Sequence, residues 1–125
     1  MDRKKILVVD DEESLVRIVR LRLEAEQYEV VTAYDGEDAL RKAKEDKPDL
    51  ILLDLMLPKM DGFWVCGLLK KDRRFKNIPV IIFSGRSQED DIKFSQKVGA
   101  DAYIIKPFEP QLLLDKIKEL IMVAG

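Results

Sequence analysis

The chain contains no histidine and only one cysteine among its 125 residues. A single cysteine cannot form an internal disulfide, so a reducing compartment is the natural interpretation and we predict a cytoplasmic protein. The same scarcity argues against a zinc site, because no histidine is available and Cys66 lies in a predicted helix.

Long apolar segments and clusters of positive charge are also missing. No segment approaches the roughly 18 apolar residues of a membrane span, and the basic N-terminus runs straight into a short strand, so neither a membrane anchor nor a signal peptide is expected. The net charge is −2, and without a basic cluster we predict no direct binding to nucleic acid. The length suits one domain, which we assign to residues 1–125.

Strand-like and helix-like segments alternate five times along the chain. The first helix is predicted from about Glu12 to Glu26 and the fourth from about Gln88 to Val98, ending at Gly99. Asp35 and Asp61 are expected to cap the second and third helices, and Pro110 to begin the fifth. The apolar residues expected to face the core from the first and fourth helices are Leu15, Ile18, Val19, Leu23, Phe94 and Val98, whereas Ile92 should face solvent.

The predicted strands are continuous apolar runs rather than alternating ones, as in Ile6-Leu7-Val8-Val9 and Leu50-Ile51-Leu52-Leu53. Such runs are typical of strands that are covered on both faces. With helices between successive strands, they predict an α/β fold in which a doubly wound parallel sheet is flanked by helices.

Four of these strands end in polar residues: Asp10-Asp11, Asp54, Ser84 and Lys106. In an open parallel sheet the carboxyl ends of the strands meet along one edge, which is where ligands bind. That edge would therefore hold three carboxylates, one hydroxyl and one ammonium group. Each residue alone has an ordinary explanation as a cap, a turn or a surface group, but together they supply the parts of one site.

Three neighbouring carboxylates are unfavourable without a cation. At about 5 Å and an effective dielectric near 20, each pair repels by roughly 3 kcal/mol. Oxygen ligands at a solvated edge suit Mg²⁺, which retains several waters and also accepts phosphate oxygens. A carboxylate can in turn attack a phosphoryl group to form an acyl phosphate. Mg²⁺ and Lys106 would neutralise the developing charge, and Ser84 could donate to a phosphoryl oxygen.

With these residues in place, the chain resembles the receiver domain of two-component response regulators, a phosphoacceptor domain like the chemotaxis regulators. The resemblance extends from Lys5 to the last helix. The motifs that carry it are Val8-Val9-Asp10-Asp11-Glu12, Leu52-Leu53-Asp54-Leu55-Met56-Leu57-Pro58, Met60-Asp61-Gly62, Ile82-Phe83-Ser84-Gly85, Gly99-Ala100-Asp101-Ala102-Tyr103 and Lys106-Pro107-Phe108.

The resemblance implies a flavodoxin-like fold, with five parallel strands in the order 2-1-3-4-5 and five helices. It also implies a role for each site residue. Asp54 would be the phosphoacceptor, and Ser84 and Tyr103 the switch residues. Lys106 would pair with the phosphoryl group and precede a cis peptide bond to Pro107. Mg²⁺ would be held by Asp10, Asp11, Asp54 and the backbone carbonyl of Met56.

The same resemblance implies the partners. A histidine kinase would donate the phosphoryl group, and a downstream protein or effector domain would bind the face made by the fourth helix, fifth strand and fifth helix. Aspartyl-phosphate hydrolases need a second acid two residues after the nucleophile, where this chain has Met56. We therefore expect a domain that catalyses only its own phosphorylation and dephosphorylation and is not otherwise an enzyme. The alternative is a pseudo-receiver, a binding module that is never phosphorylated.

Overall fold

The computed structural model describes residues 3–124, so Met1, Asp2 and Gly125 of the predicted domain lie outside the described residues. The elements in chain order are β1 (Lys5–Val9), α1 (Glu13–Ala25), β2 (Glu29–Ala33), α2 (Gly36–Asp46), β3 (Leu50–Asp54), α3 (Gly62–Lys71), β4 (Val80–Ser84), α4 (Glu89–Lys97), β5 (Ala102–Ile105) and α5 (Pro110–Ala124). Within this range, no helix has the length and apolar character needed to cross a bilayer.

The five strands form one parallel sheet in the order β2-β1-β3-β4-β5, which confirms the predicted fold. β1 pairs with β2 on one side and with β3 on the other. The strand order therefore reverses between β1 and β3. Every residue of β3 and β4 is buried. This burial explains why both strands are apolar up to their last residues, Asp54 and Ser84, since helices cover both faces of the central strands.

Alternate side chains of each strand enter two separate cores. Ile6 and Val8 pack with α1 and α5 on one face of the sheet. Leu7 and Val9 pack with α2 and α3 on the other. Successive strand residues point to opposite faces, so the two helical layers fix the sheet in register from both sides.

The predicted signals at the helix ends are confirmed. A carboxylate oxygen of Asp35 accepts from the Asp38 amide at 2.8 Å, and one of Asp61 accepts from the Phe63 amide at 2.7 Å. Each bond satisfies an amide that has no partner within its helix. Gly99 follows the end of α4 with φ of +96°, a left-handed conformation that favours glycine.

The predicted core face of α1 was wrong at one position. Val16, Val19 and Leu23 are buried, whereas Ile18 is 60% exposed. Six large apolar residues fall within three turns of this helix, and the sheet covers only the stripe that contains Val16. Ile18 instead lines a groove against α5.

The predicted orientation of α4 was wrong at Phe94 and Ile92, although Val98 packs against the core as expected. Phe94 is 47% exposed, and Ile92 is half-buried rather than facing solvent. The buried position of this helix is Ser95, whose hydroxyl donates to the Ile92 carbonyl at 2.6 Å. Because that bond satisfies the hydroxyl internally, a polar residue occupies the buried stripe and an apolar pattern does not reveal it.

Candidate functional site

Three carboxylates meet at the carboxyl edge of the sheet, beside the point where the strand order reverses. Asp10 and Asp11 follow β1, and Asp54 is the last residue of β3. One ligand oxygen from each lies within 4.8 Å of the others. Asp10 and Asp54 are buried, with 1% and 6% of their surfaces exposed, whereas Asp11 is exposed. The predicted acidic cluster therefore forms, with one side open to solvent.

Backbone amides orient the two buried carboxylates. Asp10 Oδ1 accepts from the Glu12 amide at 2.9 Å. Asp54 Oδ1 accepts from the Met56 amide at 3.4 Å. Both amides belong to the loops that leave their strands, so the chain direction after each strand fixes where its carboxylate points. The side chain of Met56, two residues after Asp54, is 67% exposed.

Lys106 brings the one ammonium group into this cluster. Its Nζ lies 2.7 Å from Asp10 Oδ2 and 3.6 Å from Asp54 Oδ1. The ammonium also lies 4.4 Å from the centre of the Phe83 ring, a cation–π contact that the sequence reasoning missed. The Lys106 amide donates to the Ser84 carbonyl at 2.8 Å, and the Lys106–Pro107 peptide bond is cis, as predicted.

Burial and charge both act on the Asp54 carboxyl. Burial, reinforced by the neighbouring Asp10 carboxylate, raises its pKa to about 6, while Lys106 opposes the shift. A buried carboxylate next to another negative group is destabilised in its ionised form. A cation bound among these oxygens would relieve that destabilisation.

The donor set fits a hard divalent cation. The three groups that converge are all carboxylates. The only cysteine, Cys66, is buried in α3, in the core on the face of the sheet that α2 and α3 cover. Oxygen-only ligands with an open, solvated side are what Mg²⁺ prefers, because it retains several of its waters. The cluster could therefore hold a metal ion of this kind.

Ser84 and Tyr103 lie on the neighbouring strands and connect the site to α4. Ser84 ends β4 next to β3, and its hydroxyl oxygen accepts from the Arg86 amide at 3.1 Å. The Tyr103 hydroxyl donates to the Arg86 carbonyl at 2.6 Å. The Arg86 side chain donates to Asp91 in the first turn of α4 at 2.6 Å. Sequence reasoning did not find this chain of contacts, since no local pattern indicates which partner an exposed arginine selects.

A glycine brings α3 against the site. A Cβ at Gly62 would lie 2.3 Å from the Asp54 carbonyl oxygen and 2.6 Å from the Leu55 Cα. The Gly62 amide donates to the Leu55 carbonyl at 2.9 Å. Only glycine permits this approach, so the start of α3 is fixed to the strand that carries Asp54.

Comparison with known proteins places this geometry in a known context. The family model of the response regulator receiver domain matches residues 6–118. The chain is 45% identical over 118 residues to the alkaline phosphatase synthesis transcriptional regulatory protein PhoP of Bacillus subtilis, covering 94% of this chain and 48% of PhoP. It is 43% identical over 116 residues to the response regulator PleD of Caulobacter vibrioides, covering 93% of this chain and 26% of PleD. The chain thus spans half or less of the length of these curated relatives.

Solved structures give the same result for the fold. A CheY-like response regulator receiver domain protein from Methanospirillum hungatei superposes with a TM-score of 0.92 at 35% identity, covering 98% of this chain and 97% of that one. A response regulator from Chloroflexus aurantiacus superposes with a TM-score of 0.92 at 29% identity, covering 97% and 99% of the two chains.

Proposed function

The chain belongs to the response regulator receiver domain family of two-component systems, and from that premise we propose that Asp54 accepts a phosphoryl group from a phosphohistidine of a histidine kinase. The observation that carries this proposal is the convergence of Asp10, Asp11 and Asp54 within 4.8 Å, with the Lys106 ammonium 3.6 Å from Asp54 Oδ1. A nucleophilic carboxylate next to fixed positive charge suits phosphoryl transfer.

In the proposed step a carboxylate oxygen of Asp54 attacks phosphorus. A P–O bond forms, the P–N bond breaks, and its electron pair passes to the imidazole nitrogen of the donor. Mg²⁺, held by Asp10, Asp11, Asp54 and the Met56 carbonyl, would supply positive charge to the phosphoryl oxygens. Lys106 moves its ammonium from Asp10 towards the new phosphoryl group, and the Ser84 hydroxyl donates to a phosphoryl oxygen.

The output follows from the contacts of Ser84. A hydroxyl drawn to the phosphoryl group gives up its bond with the Arg86 amide, now 3.1 Å. Tyr103 and α4 are both tied to Arg86, so they respond together. We propose that this rearrangement changes the face made by α4, β5 and α5, where a downstream protein or effector domain binds.

An apolar groove beside the site suits the phosphodonor. A cavity of about 360 Å³ lies between α1 and the start of α5, lined among others by Leu15, Ile18, Phe108 and Leu114. Lys106 lines both this groove and the carboxylate site. A kinase domain seated here would hold its phosphohistidine next to Asp54.

We further propose that the receiver domain itself acts in the cytoplasm and binds no nucleic acid. It would catalyse only its own phosphorylation and dephosphorylation.

Acetyl phosphate tests the phosphoacceptor directly. Wild-type domain incubated with acetyl phosphate and Mg²⁺ should gain one phosphoryl group by intact mass spectrometry. Neither Asp54→Ala nor wild type in EDTA should gain one. Labelling of Asp54→Ala, or equal labelling in EDTA, would contradict the assignment. Absence of any labelling in Mg²⁺ would favour the pseudo-receiver alternative.

A further inference from the structure

A second groove, between α3 and α4, takes no part in the chemistry proposed above. Its cavity is about 690 Å³, and its apolar lining includes Phe63, Trp64 and Leu68 from α3 and Phe94 and Val98 from α4. Trp64 is 61% exposed and Leu68 is 38% exposed. Large apolar side chains grouped in one concave surface are typical of a binding site rather than of scattered surface residues.

The groove is a formed surface. The rings of Phe63 and Phe94 contact each other edge to face, with centroids 4.8 Å apart at 89°. This pair joins α3 to α4 and accounts for the exposure of Phe94, which packs on a neighbouring helix instead of entering the core. This aromatic contact therefore fixes the position of α4 relative to α3, the two helices that form the groove.

Gly67 lines this groove from the middle of α3 and has no role in packing. A Cβ at this position would meet nothing within 4 Å. Glycine weakens a helix interior relative to alanine, so the folded chain gains nothing from it. What the missing side chain provides is access, since an occupant of the groove can approach the backbone of α3 between Trp64 and Leu68.

The rim of the groove is mostly basic. Lys70, Lys71 and Lys97 line it with one acid, Asp61, although the whole chain carries a net charge of −2. Lys70 is already paired with Asp101 at 2.8 Å. Lys71 and Lys97 are exposed, and neither forms an ion pair with any residue between 3 and 124. Asp61 is committed to capping α3. The two available charges therefore favour an acidic occupant.

We propose that the α3–α4 groove docks an acidic amphipathic helix of a partner protein. Apolar side chains on one face of that helix would lie along Trp64, Leu68 and Phe94, its backbone would approach α3 at Gly67, and its flanking carboxylates would pair with Lys71 and Lys97. A helix laid into an apolar groove is a common mode of peptide recognition. This docking does not depend on phosphorylation of Asp54, so it can be tested in the unmodified domain.

Selection from a displayed library of random helical peptides tests the proposal. Peptides are selected on the wild-type domain and counter-selected on Gly67→Leu, which fills the groove from a position with free space around it. The enriched peptides should combine apolar residues at helical spacing with flanking Asp or Glu. Failure to enrich any peptide, or enrichment of neutral or basic ones, would overturn the proposal. Circular dichroism of Gly67→Leu establishes that the variant is folded.

Trp64 reports binding, because it is the only tryptophan in the chain. Titration with an enriched peptide should shift the fluorescence emission of Trp64 to shorter wavelength, and this shift should reach saturation. Gly67→Leu and the double variant Lys71→Glu, Lys97→Glu should each weaken binding by about tenfold or more. Leu21→Glu, on an exposed face of α1, should leave the affinity unchanged. Equal affinity of the peptide for the wild-type domain and for all of these variants would refute acidic docking.

Discussion

Asp54 is the residue at which burial and a neighbouring negative charge both disfavour the ionised side chain. Its carboxyl is 6% exposed, and its pKa is raised to about 6 by burial and by Asp10. An acid whose pKa is raised on folding stabilises the protein below its unfolded pKa, near 4, and loses that stabilisation as the pH rises through 6. At neutral pH, and without metal, the ionised carboxylate therefore destabilises the domain that it serves.

Replacing Asp54 with Asn should stabilise the metal-free protein at pH 7. The expected gain in the free energy of unfolding is about 1–3 kcal/mol, because the amide is not ionised. The gain should shrink as the pH falls towards 4, where the native carboxyl is protonated. Urea unfolding in EDTA across this range measures it. Glu119→Gln, which breaks only the exposed pair with Lys116, should change stability little at any pH. A gain independent of pH would mean that charge is not its cause.

Asp11 tests whether a metal ion relieves the same repulsion. We expect Mg²⁺ to bind the native state alone and to raise its stability, by about 1.4 kcal/mol at ten times its dissociation constant. For a domain of this size that corresponds to a rise of about 5 °C in the melting temperature. The rise should vanish in Asp11→Ala, followed by differential scanning calorimetry. A Mg²⁺ response that persists in this variant would place the metal elsewhere.

Helix α3 contains two glycines with opposite structural roles. At Gly62 a Cβ would collide with the backbone of the strand that carries Asp54, whereas at Gly67 it would meet nothing within 4 Å. Gly62→Ala should therefore destabilise the domain by about 1–3 kcal/mol, as overpacking does. Gly67→Ala should stabilise it by about 0.5–1 kcal/mol, through helix propensity alone. Chemical denaturation of the two variants measures both signs. Equal effects would show that the approach of α3 to the site is adjustable.

The helices also show where sequence patterns succeed and fail. The capping residues Asp35 and Asp61 and the glycine after α4 could be identified because each satisfies a local backbone requirement. The inward faces of α1 and α4 could not be fully assigned. α1 has more apolar residues than the sheet covers, so Ile18 lies outside the core and lines the groove between α1 and α5. In α4 the buried residue is Ser95, and a hydroxyl that bonds its own helix has no apolar signature.

At the scale of the whole molecule, the sheet topology brings together residues that are far apart in the sequence. Asp10 and Lys106 are 96 positions apart and lie in contact at 2.7 Å. Their meeting was predictable, because parallel strands align their carboxyl ends. The partners of Arg86 were not, since a long exposed side chain selects among several nearby acids by tertiary geometry. The route from Ser84 to α4 therefore emerges only from the folded chain.

That route gives a testable prediction about the switch. With Mg²⁺, the phosphoryl mimic beryllofluoride should change NMR shifts at Asp54 and Lys106, and then along Ser84, Arg86 and Tyr103 into α4. The reason is that Ser84 and Tyr103 share Arg86 as a hydrogen-bond partner, and Asp91 ties the same residue to the helix. Residues at the opposite edge of the sheet, such as Tyr28, should keep their shifts.

Ser84→Ala supplies the matched control, because it removes the hydroxyl and leaves the three carboxylates and Lys106 in place. In this variant beryllofluoride should still perturb Asp54 and Lys106, but the changes should stop before Tyr103 and α4. Changes that reach α4 as strongly without the hydroxyl would show that α4 senses the phosphoryl group by another path, with the fixed start of α3 at Gly62 as the next connection to test. Changes confined to Asp54 in the wild-type domain would mean that the face of α4, β5 and α5 is not the switch.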